Sequence, residues 1–301
     1  MRRTQQSTDQ LVDLLDTWRT RKIVVVGDFM LDRYIYGDAD RLSPDAPVPV
    51  LARKRTEQVG GGASNVCVDL AALKCQVRAV GVVGRDDAGR DLRQALRAAG
   101  CSTAGLVSDG SRPTTVKMNL VGLAQHRHPQ KMFRLDEESS APLDPGIAAK
   151  LLDRARQALR GAAALCLEDY NKGVLHPKIC TALIRMARSA GVPVFVDPAP
   201  IPDYAKYGGA TCITPNRNEA SLATKTRFSE TLRVSVLRTM TTKLIRSLRL
   251  ESCVVTLDKH GLFVAENRNP PTLVPTKARA VYDVTGAGDV VVAAIAGGWG
   301  S

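Results

Sequence analysis

Val281-Tyr282-Asp283-Val284-Thr285-Gly286-Ala287-Gly288-Asp289 runs directly into an apolar segment, Val290 to Ala296. The small residues therefore read as the N-terminal turn of a helix. Without bulky side chains, the backbone N–H groups there can approach a ligand closely, and the helix dipole adds partial positive charge. This suits an anion, and a phosphoryl group that gains charge during transfer fits well. A carboxylate at the lip of such a nest, Asp289, is placed to take a proton from an attacking hydroxyl. The spacing is equally met by a glycine turn before a buried helix, with Asp289 as a first-turn partner of the dipole.

Further upstream, Lys22-Ile23-Val24-Val25-Val26-Gly27 is a β-branched run of the kind that fills a strand buried on both faces. It ends in the polar cluster Asp28 to Asp32, and the ends of such strands are where open α/β sheets bind ligands. Helix and strand patterns then alternate. Strands are expected at 77–83, 163–167, 192–196, 211–214 and 252–256. Helices are expected at 60–73, opened by Gly60-Gly61-Gly62, and at 88–99, 146–160, 176–189 and 230–248, with a leading helix over 1–20. This order specifies an α/β fold with a doubly wound, mostly parallel sheet flanked by helices. Two short β pairs, about 33–55 and 114–136, stand apart from the alternation and suggest a small β-sheet lid. After the helix over 88–99 the chain is read as returning to that lid.

Asp283-x-Thr285-Gly286-Ala287-Gly288-Asp289 resembles the signature of the ribokinase-like (phosphofructokinase-B-type) carbohydrate kinases, and the resemblance extends along nearly the whole chain. It implies one kinase domain over 1–301, carrying the lid, with ATP as phosphoryl donor and Mg2+ as cofactor. Gly286, Ala287 and Gly288 would form the anion hole, Asp289 would be the catalytic base, and Asp283 would lie near the phosphates. Asp32 corresponds to the family's early sugar-binding aspartate. Gly61, Gly62 and Asn65 fall in its Gly-Gly-x-x-x-Asn segment, although strict spacing runs from Gly60 and Gly61 to Asn65. Asn216 and Glu219 match its Asn-x-x-Glu segment for magnesium and phosphate, with Glu219 reaching the metal through water. Read by itself, that pair is also a helix capping box. Thr256 and Gly261 match the strand and turn that contact the nucleotide.

Within the family, Gly27 to Tyr34, Arg41 to Val50, Arg134-Leu135-Asp136 and the 281–289 stretch resemble the branch of heptose 7-phosphate kinases. That branch implies transfer to the anomeric hydroxyl of D-glycero-β-D-manno-heptose 7-phosphate, on the way to ADP-heptose and lipopolysaccharide core. Lys117, Arg134 and Lys172 are candidates for the sugar's phosphate or hydroxyls, against plain solvated cations. Three departures stand out. Asp197-Pro198 continues as Ala199-Pro200 where the branch has Lys-Gly, so a cation near the site is expected to be absent. Val290 replaces a small hydroxyl residue. Twelve residues follow Asp289, where relatives continue through helices that wall the adenine pocket. A non-catalytic sugar-phosphate binder and a kinase of fructose or ribose are the competing readings.

Composition narrows the classes. The chain has 301 residues, 44% hydrophobic and 24% charged, which is ordinary globular usage. A net charge of +12 raises nucleic acid. Yet the basic residues are interleaved with acids, aromatics total 4%, and no P-loop or dinucleotide fingerprint is present. Small anionic substrates account for the charge. Seven scattered cysteines without a C-x-x-C pair read as reduced core residues of a cytoplasmic protein. His126-x-His128 reads as a loop pair. No signal peptide or membrane-spanning run is expected. The partners implied are sugar phosphate, ATP and a second copy across the lid.

Overall fold

The computed structural model describes residues 13–123, 128–227, 233–276 and 286–300. Asp283, His126 and the first twelve residues lie outside them. Residues 13–17 are helical, and Trp18 after them is buried against Gly297, where a Cβ would come within 2.7 Å of the indole.

In chain order come β1 (Lys22–Gly27), β2 (Phe29–Leu42), β3 (Pro49–Gly62), α1 (Ala63–Ala72), β4 (Gln76–Gly84), α2 (Asp87–Ala98) and β5 (Ser102–Asp109). Next are β6 (Thr115–Leu123), β7 (Gln130–Glu137), α3 (Pro145–Ala158), β8 (Ala164–Glu168), α4 (Pro177–Ser189), β9 (Val194–Asp197) and β10 (Cys212–Ile213). The described chain closes with α5 (Arg217–Thr224), α6 (Val234–Leu248), β11 (Ser252–Thr256), β12 (Leu262–Glu266), β13 (Thr272–Val274) and α7 (Ala287–Gly298).

A nine-stranded sheet has the order β13-β12-β11-β10-β9-β8-β1-β4-β5. Its strands from β11 to β5 pair in parallel, and β12 and β13 add an antiparallel edge. β1 shows why the sheet is buried on both sides. Val24 and Val26 belong to the core on the face covered by α3, α4, α5 and α6, which also holds Leu151, Ile179, Ala220 and Leu237. Ile23 and Val25 pack under α1, α2 and α7, with Val66, Leu92 and Val292. Helix starts follow local chemistry. Asp86 accepts from Gly89 N at 2.7 Å to open α2, and Asp144 accepts from Gly146 N at 2.8 Å to open α3 behind Pro145.

The chain builds outward from β1 to β4 and β5, then returns to the other side of β1 as β8. The crevice between the C-terminal ends of β1 and β8 is therefore the topological switch point, where open α/β sheets take their ligands.

A second sheet has the order β3-β2-β6-β7. The two β pairs expected from the sequence are joined in it by parallel pairing of β2 with β6. Its strands are longer than expected, because β2 begins at Phe29 and β3 runs on to Gly62. Asp86 holds the start of this sheet by accepting from Thr114 N at 2.7 Å.

One reading is corrected and one element is new. Ser102–Asp109 is not part of the return to the small sheet but the edge strand of the large one, paired with β4. The edge hairpin β12–β13 carried no expectation. Elsewhere boundaries shift by a few residues, as at α6, which begins at Val234.

Candidate active site

Asp289 sits in the first turn of α7 and is only 7% exposed. Asn65 Nδ2 donates to its Oδ2 at 2.7 Å and the Tyr170 hydroxyl donates to its Oδ1 at 2.8 Å. Burial raises its proton affinity above the ordinary carboxylate range. The bonds from Asn65 and Tyr170 and the charge of Lys117 pull the other way. The Tyr170 phenol is itself pushed up, by burial first and then by the Asp289 charge. Gly286 precedes the helix with φ +79, and a Cβ on it would stand 2.7 Å from Asn65 Nδ2. The first-turn N–H groups of α7 have no acceptors within the helix, so they form an anion-receptive end.

Asn65 lies in α1, directly after the turn at Gly62. Gly62 has φ +54, and a Cβ there would come within 2.7 Å of both the Asp28 carbonyl and the Met30 methyl. Only glycine fits. Gly61 packs against Asp32, since a Cβ on it would stand 2.7 Å from an Asp32 carboxylate oxygen. The glycines expected at a helix start are thus the last residues of β3, packed against the sugar-site candidate Asp32.

One rung of the small sheet runs Val59–Asp32–Lys117–Asp136. Neighbours on a rung share a face, and Arg134 shares it with Asp136 two residues along the same strand. The structure thus brings Asp32, Lys117 and Arg134 together. Burial raises the Asp32 carboxyl, while Lys117, then Arg134, then Lys131 oppose the shift. Lys117 Nζ also lies 5.6 Å from the centre of the Tyr170 ring, which ties this face to Asp289. Arg134 is engaged with Asp136 at 2.6 Å, and Lys172 with Glu138 at 2.6 Å. Arg112 Nη2 fastens the Lys172 loop by donating to the carbonyls of Ser139 at 2.7 Å and Lys172 at 2.6 Å.

Asn216 and Glu219 form a complete capping box at α5. Asn216 Oδ1 accepts from Glu219 N at 3.0 Å, and Glu219 Oε2 accepts from Asn216 N at 2.7 Å. The local reading of this pair is therefore realised, and it leaves Glu219 one oxygen. Thr256, at the end of β11, bridges to Asn216, and Gly261 takes φ +91 beneath the Val274 carbonyl. This group lies on the side of Asp197, whose proton affinity is raised by burial, then by the charges of Glu219 and Asp289.

Several acidic groups had no role assigned from sequence. Glu168, Asp197 and Asp289 each offer an oxygen within 4.8 Å of the others. Glu168 is fully buried, and among the described residues neither of its oxygens has a hydrogen-bond partner. Burial pushes its carboxyl far up, followed by the charges of Asp197 and Asp289. Such orphaned hard oxygens suit a divalent cation such as Mg2+. Asp28 instead organises the backbone, accepting from the N–H groups of Tyr170 at 2.9 Å, Lys172 at 3.1 Å and Val174 at 3.3 Å. Its carboxyl is raised to about 6 by burial and by Asp169. The signal available beforehand was position alone: Asp28, Glu168 and Asp197 all stand at the ends of parallel strands. Ala199, which stands where the resembled branch has a lysine, is fully buried, and Lys206 is spent on Asp169 at 2.5 Å.

Known proteins resemble this chain in sequence and in fold. The profile of the pfkB family of carbohydrate kinases matches residues 20–300. "Bifunctional protein HldE" of Caulobacter vibrioides is 40% identical over 288 residues, covering 96% of this chain and 57% of that protein. Its namesake in Wolinella succinogenes is 38% identical over 276 residues, covering 92% and 56%. The chain thus spans little more than half the length of these relatives. Among solved structures, phosphofructokinase-2 from Escherichia coli, in its tetrameric inhibited form, superposes with a TM-score of 0.73 at 18% identity, covering 92% of this chain and 86% of that one. Arabidopsis thaliana ribokinase complexed with ribose and ATP gives 0.70 at 20% identity, covering 92% and 85%. At these identities the likeness speaks for the fold alone.

Proposed function

The chain belongs to the pfkB family of carbohydrate kinases, and from that membership we propose an ATP-dependent kinase for the anomeric hydroxyl of D-glycero-β-D-manno-heptose 7-phosphate. The observation that carries the kinase reading is the placement of Asp289, a buried carboxylate oriented through both oxygens at an anion-receptive helix end. The sugar is supported by the heptose-kinase-like segments at Gly27–Tyr34, Arg41–Val50 and Arg134–Asp136.

In this reading Asp32, with the backbone at Gly61 and Gly62, orients the sugar hydroxyls, and Lys117 and Arg134 meet its existing phosphate. Lys172 joins them by exchanging Glu138 for the substrate. Asp289 takes the proton of the anomeric hydroxyl as that oxygen bonds to the γ-phosphorus and the bond to the ADP oxygen breaks. Asn65 and Tyr170 hold the carboxylate in line. The N–H groups of Gly286, Ala287 and Gly288 receive the charge that grows on the phosphoryl oxygens. Thr256 and Gly261 line the nucleotide side, with Asp283 upstream of the anion hole. Asn216 and Glu219 would hold Mg2+ through its waters, using the Glu219 oxygen that the capping box leaves over. When bound, Mg2+ neutralises phosphate charge and fixes the geometry of transfer.

The small sheet acts as the lid of one kinase domain. It also serves as a dimer surface, because Leu42, Phe133 and Leu135 stand 63%, 63% and 53% exposed on it. The described helices include none long and apolar enough to cross a membrane. With seven free, buried cysteines, a cytoplasmic enzyme on small anionic substrates is the coherent placement.

A coupled ADP-release assay over ribose, fructose, fructose 6-phosphate and heptose 7-phosphate tests the assignment. The heptose phosphate is expected to be turned over best. Turnover of another sugar with none of the heptose ends the substrate claim, and silence on all four ends the kinase claim.

A further inference from the structure

We propose that Glu168, Asp197 and Asp289 form a divalent-cation site that binds directly through carboxylate oxygens, beneath the first turn of α7 and without nucleotide. Three features carry it together.

The first is geometry. The three oxygens lie within 4.8 Å of one another. Two oxygens that share a hard cation at about 2.0–2.6 Å stand up to about 4–5 Å apart, so a small inward shift closes the set. The second is the state of Glu168. It is fully buried, it points into the cluster, and neither oxygen has a donor among the described residues. A buried carboxylate without a donor is costly while ionised; a proton or a cation relieves it, and a cation is the remedy that all three carboxylates can share. The third is the occupancy of the neighbours. Asp197 receives one hydroxyl, from Thr214 at 3.1 Å, while the nearby Lys206 is committed to Asp169. Asp289 receives one donor on each oxygen, which leaves a further lone pair on both.

The fold makes room for this arrangement on purpose of sterics. Glu168 pairs with Gly27 across β1 and β8, and a Cβ on Gly27 would stand 2.8 Å from the Glu168 Cβ. The ligands are hard oxygens only, which favours Mg2+, Mn2+ or Ca2+ over softer metals. The site differs from the water-mediated role given to Glu219, and it does not depend on which sugar is phosphorylated.

The probe is Mn2+ alone, added to the nucleotide-free protein and followed by loss of the free-ion EPR signal. One Mn2+ per chain is expected to bind with a dissociation constant below about 1 mM, and Glu168→Gln is expected to weaken it at least about tenfold. Glu219→Gln should stay within about threefold of the parent, because Glu219 is not a ligand. Circular dichroism and a urea midpoint establish that Glu168→Gln is folded. Should it fail to fold, Tb3+ replaces it as the test on the parent protein. Tyr170, whose hydroxyl touches Asp289, should sensitise Tb3+ emission that Mn2+ displaces and Tyr170→Phe diminishes, Tyr204 near Asp197 supplying the remainder. No Mn2+ uptake at millimolar concentration, equal binding by folded Glu168→Gln, or Tb3+ emission insensitive to Tyr170→Phe overturns the site. A protein that binds Mn2+ as described but phosphorylates no sugar supports it all the same.

Discussion

Asn65 Nδ2 lies 2.7 Å from Asp289 Oδ2, joining the start of α1 to the start of α7 across 224 positions of sequence. Both helices rest on the same face of the large sheet, through Val66 and Val292. The bond therefore fixes the carboxylate relative to the scaffold rather than to a loop. With the Tyr170 hydroxyl on the other oxygen at 2.8 Å, Asp289 is held at both ends.

Asn65→Ala should reveal this control in a pH profile. Asn65 is the largest of the influences that lower the proton affinity of Asp289, against burial that raises it. Its loss shifts the Asp289 carboxyl upward, so the acidic limb of kcat/KM is expected to move to higher pH. The misaligned base should also lower kcat by about tenfold. An unmoved limb with an unchanged rate would mean that the bond has no part in setting the base.

Gly286→Ala attacks the same contact from the backbone. Its φ of +79 is unfavourable for alanine, and the new Cβ would stand 2.7 Å from Asn65 Nδ2. The conformational part alone costs about 1–2 kcal/mol, and the displaced amide adds to it. Urea unfolding should show a loss of this size, accompanied by lower turnover. Full stability would show that the turn relaxes around the methyl group.

The legible parts of the chain were those whose meaning is local. Gly286-Ala287-Gly288 announced a helix start, and the β-branched run at Ile23–Val26 announced the central strand, because steric and periodic rules act within a few residues. Boundaries at β11 and α4 followed for the same reason. What was not legible depends on long-range register. Asp32, Lys117 and Asp136 become one rung only when β2 pairs with β6 in parallel, and nothing in 33–55 or 114–136 announces that pairing. Ser102–Asp109 holds a glycine and has polar pairs at both ends with no strand alternation, and pairing with β4 makes it a strand. Glu168 stood in a visible polar cluster. Its isolation from donors among the described residues is a property of burial, which no spacing reports. Asn216 and Glu219 satisfied the local rule to the letter, and that box leaves their metal role to be tested.

Stability should fall as the pH rises from mildly acidic to neutral. Burial raises the Asp28 carboxyl from 3.8 to about 6. Between these values the folded chain binds the proton more tightly than the unfolded chain. The stabilisation is therefore full below about pH 4 and lost as the pH rises through about 6. From pH 5 to 7.5 this group alone removes about 1–1.5 kcal/mol. Glu168 and Asp197, raised by burial as well, act in the same direction. Urea midpoints across this range test the slope, and Asp28→Asn should flatten it. The variant should also be less stable overall, because one amide oxygen cannot replace two carboxylate oxygens that accept three backbone N–H groups. A midpoint that rises with pH in the parent would contradict the assignment.

Asp289→Asn separates chemistry from binding. Asparagine keeps the shape and one acceptor oxygen, so the Asn65 or Tyr170 contact can persist, but it cannot take a proton at neutral pH. If Asp289 is the base, kcat should fall by about 10²–10⁴ while sugar and ATP affinities change little. The substitution also removes a partly desolvated charge from beside Glu168 and Asp197, so the melting temperature should hold or rise. Kinetics and a thermal melt on one preparation distinguish the outcomes. A rise in KM at constant kcat would make Asp289 a sugar ligand, with transfer driven by positioning and metal alone. Unchanged turnover with a lowered melting temperature would leave it only the task of complementing the dipole of α7.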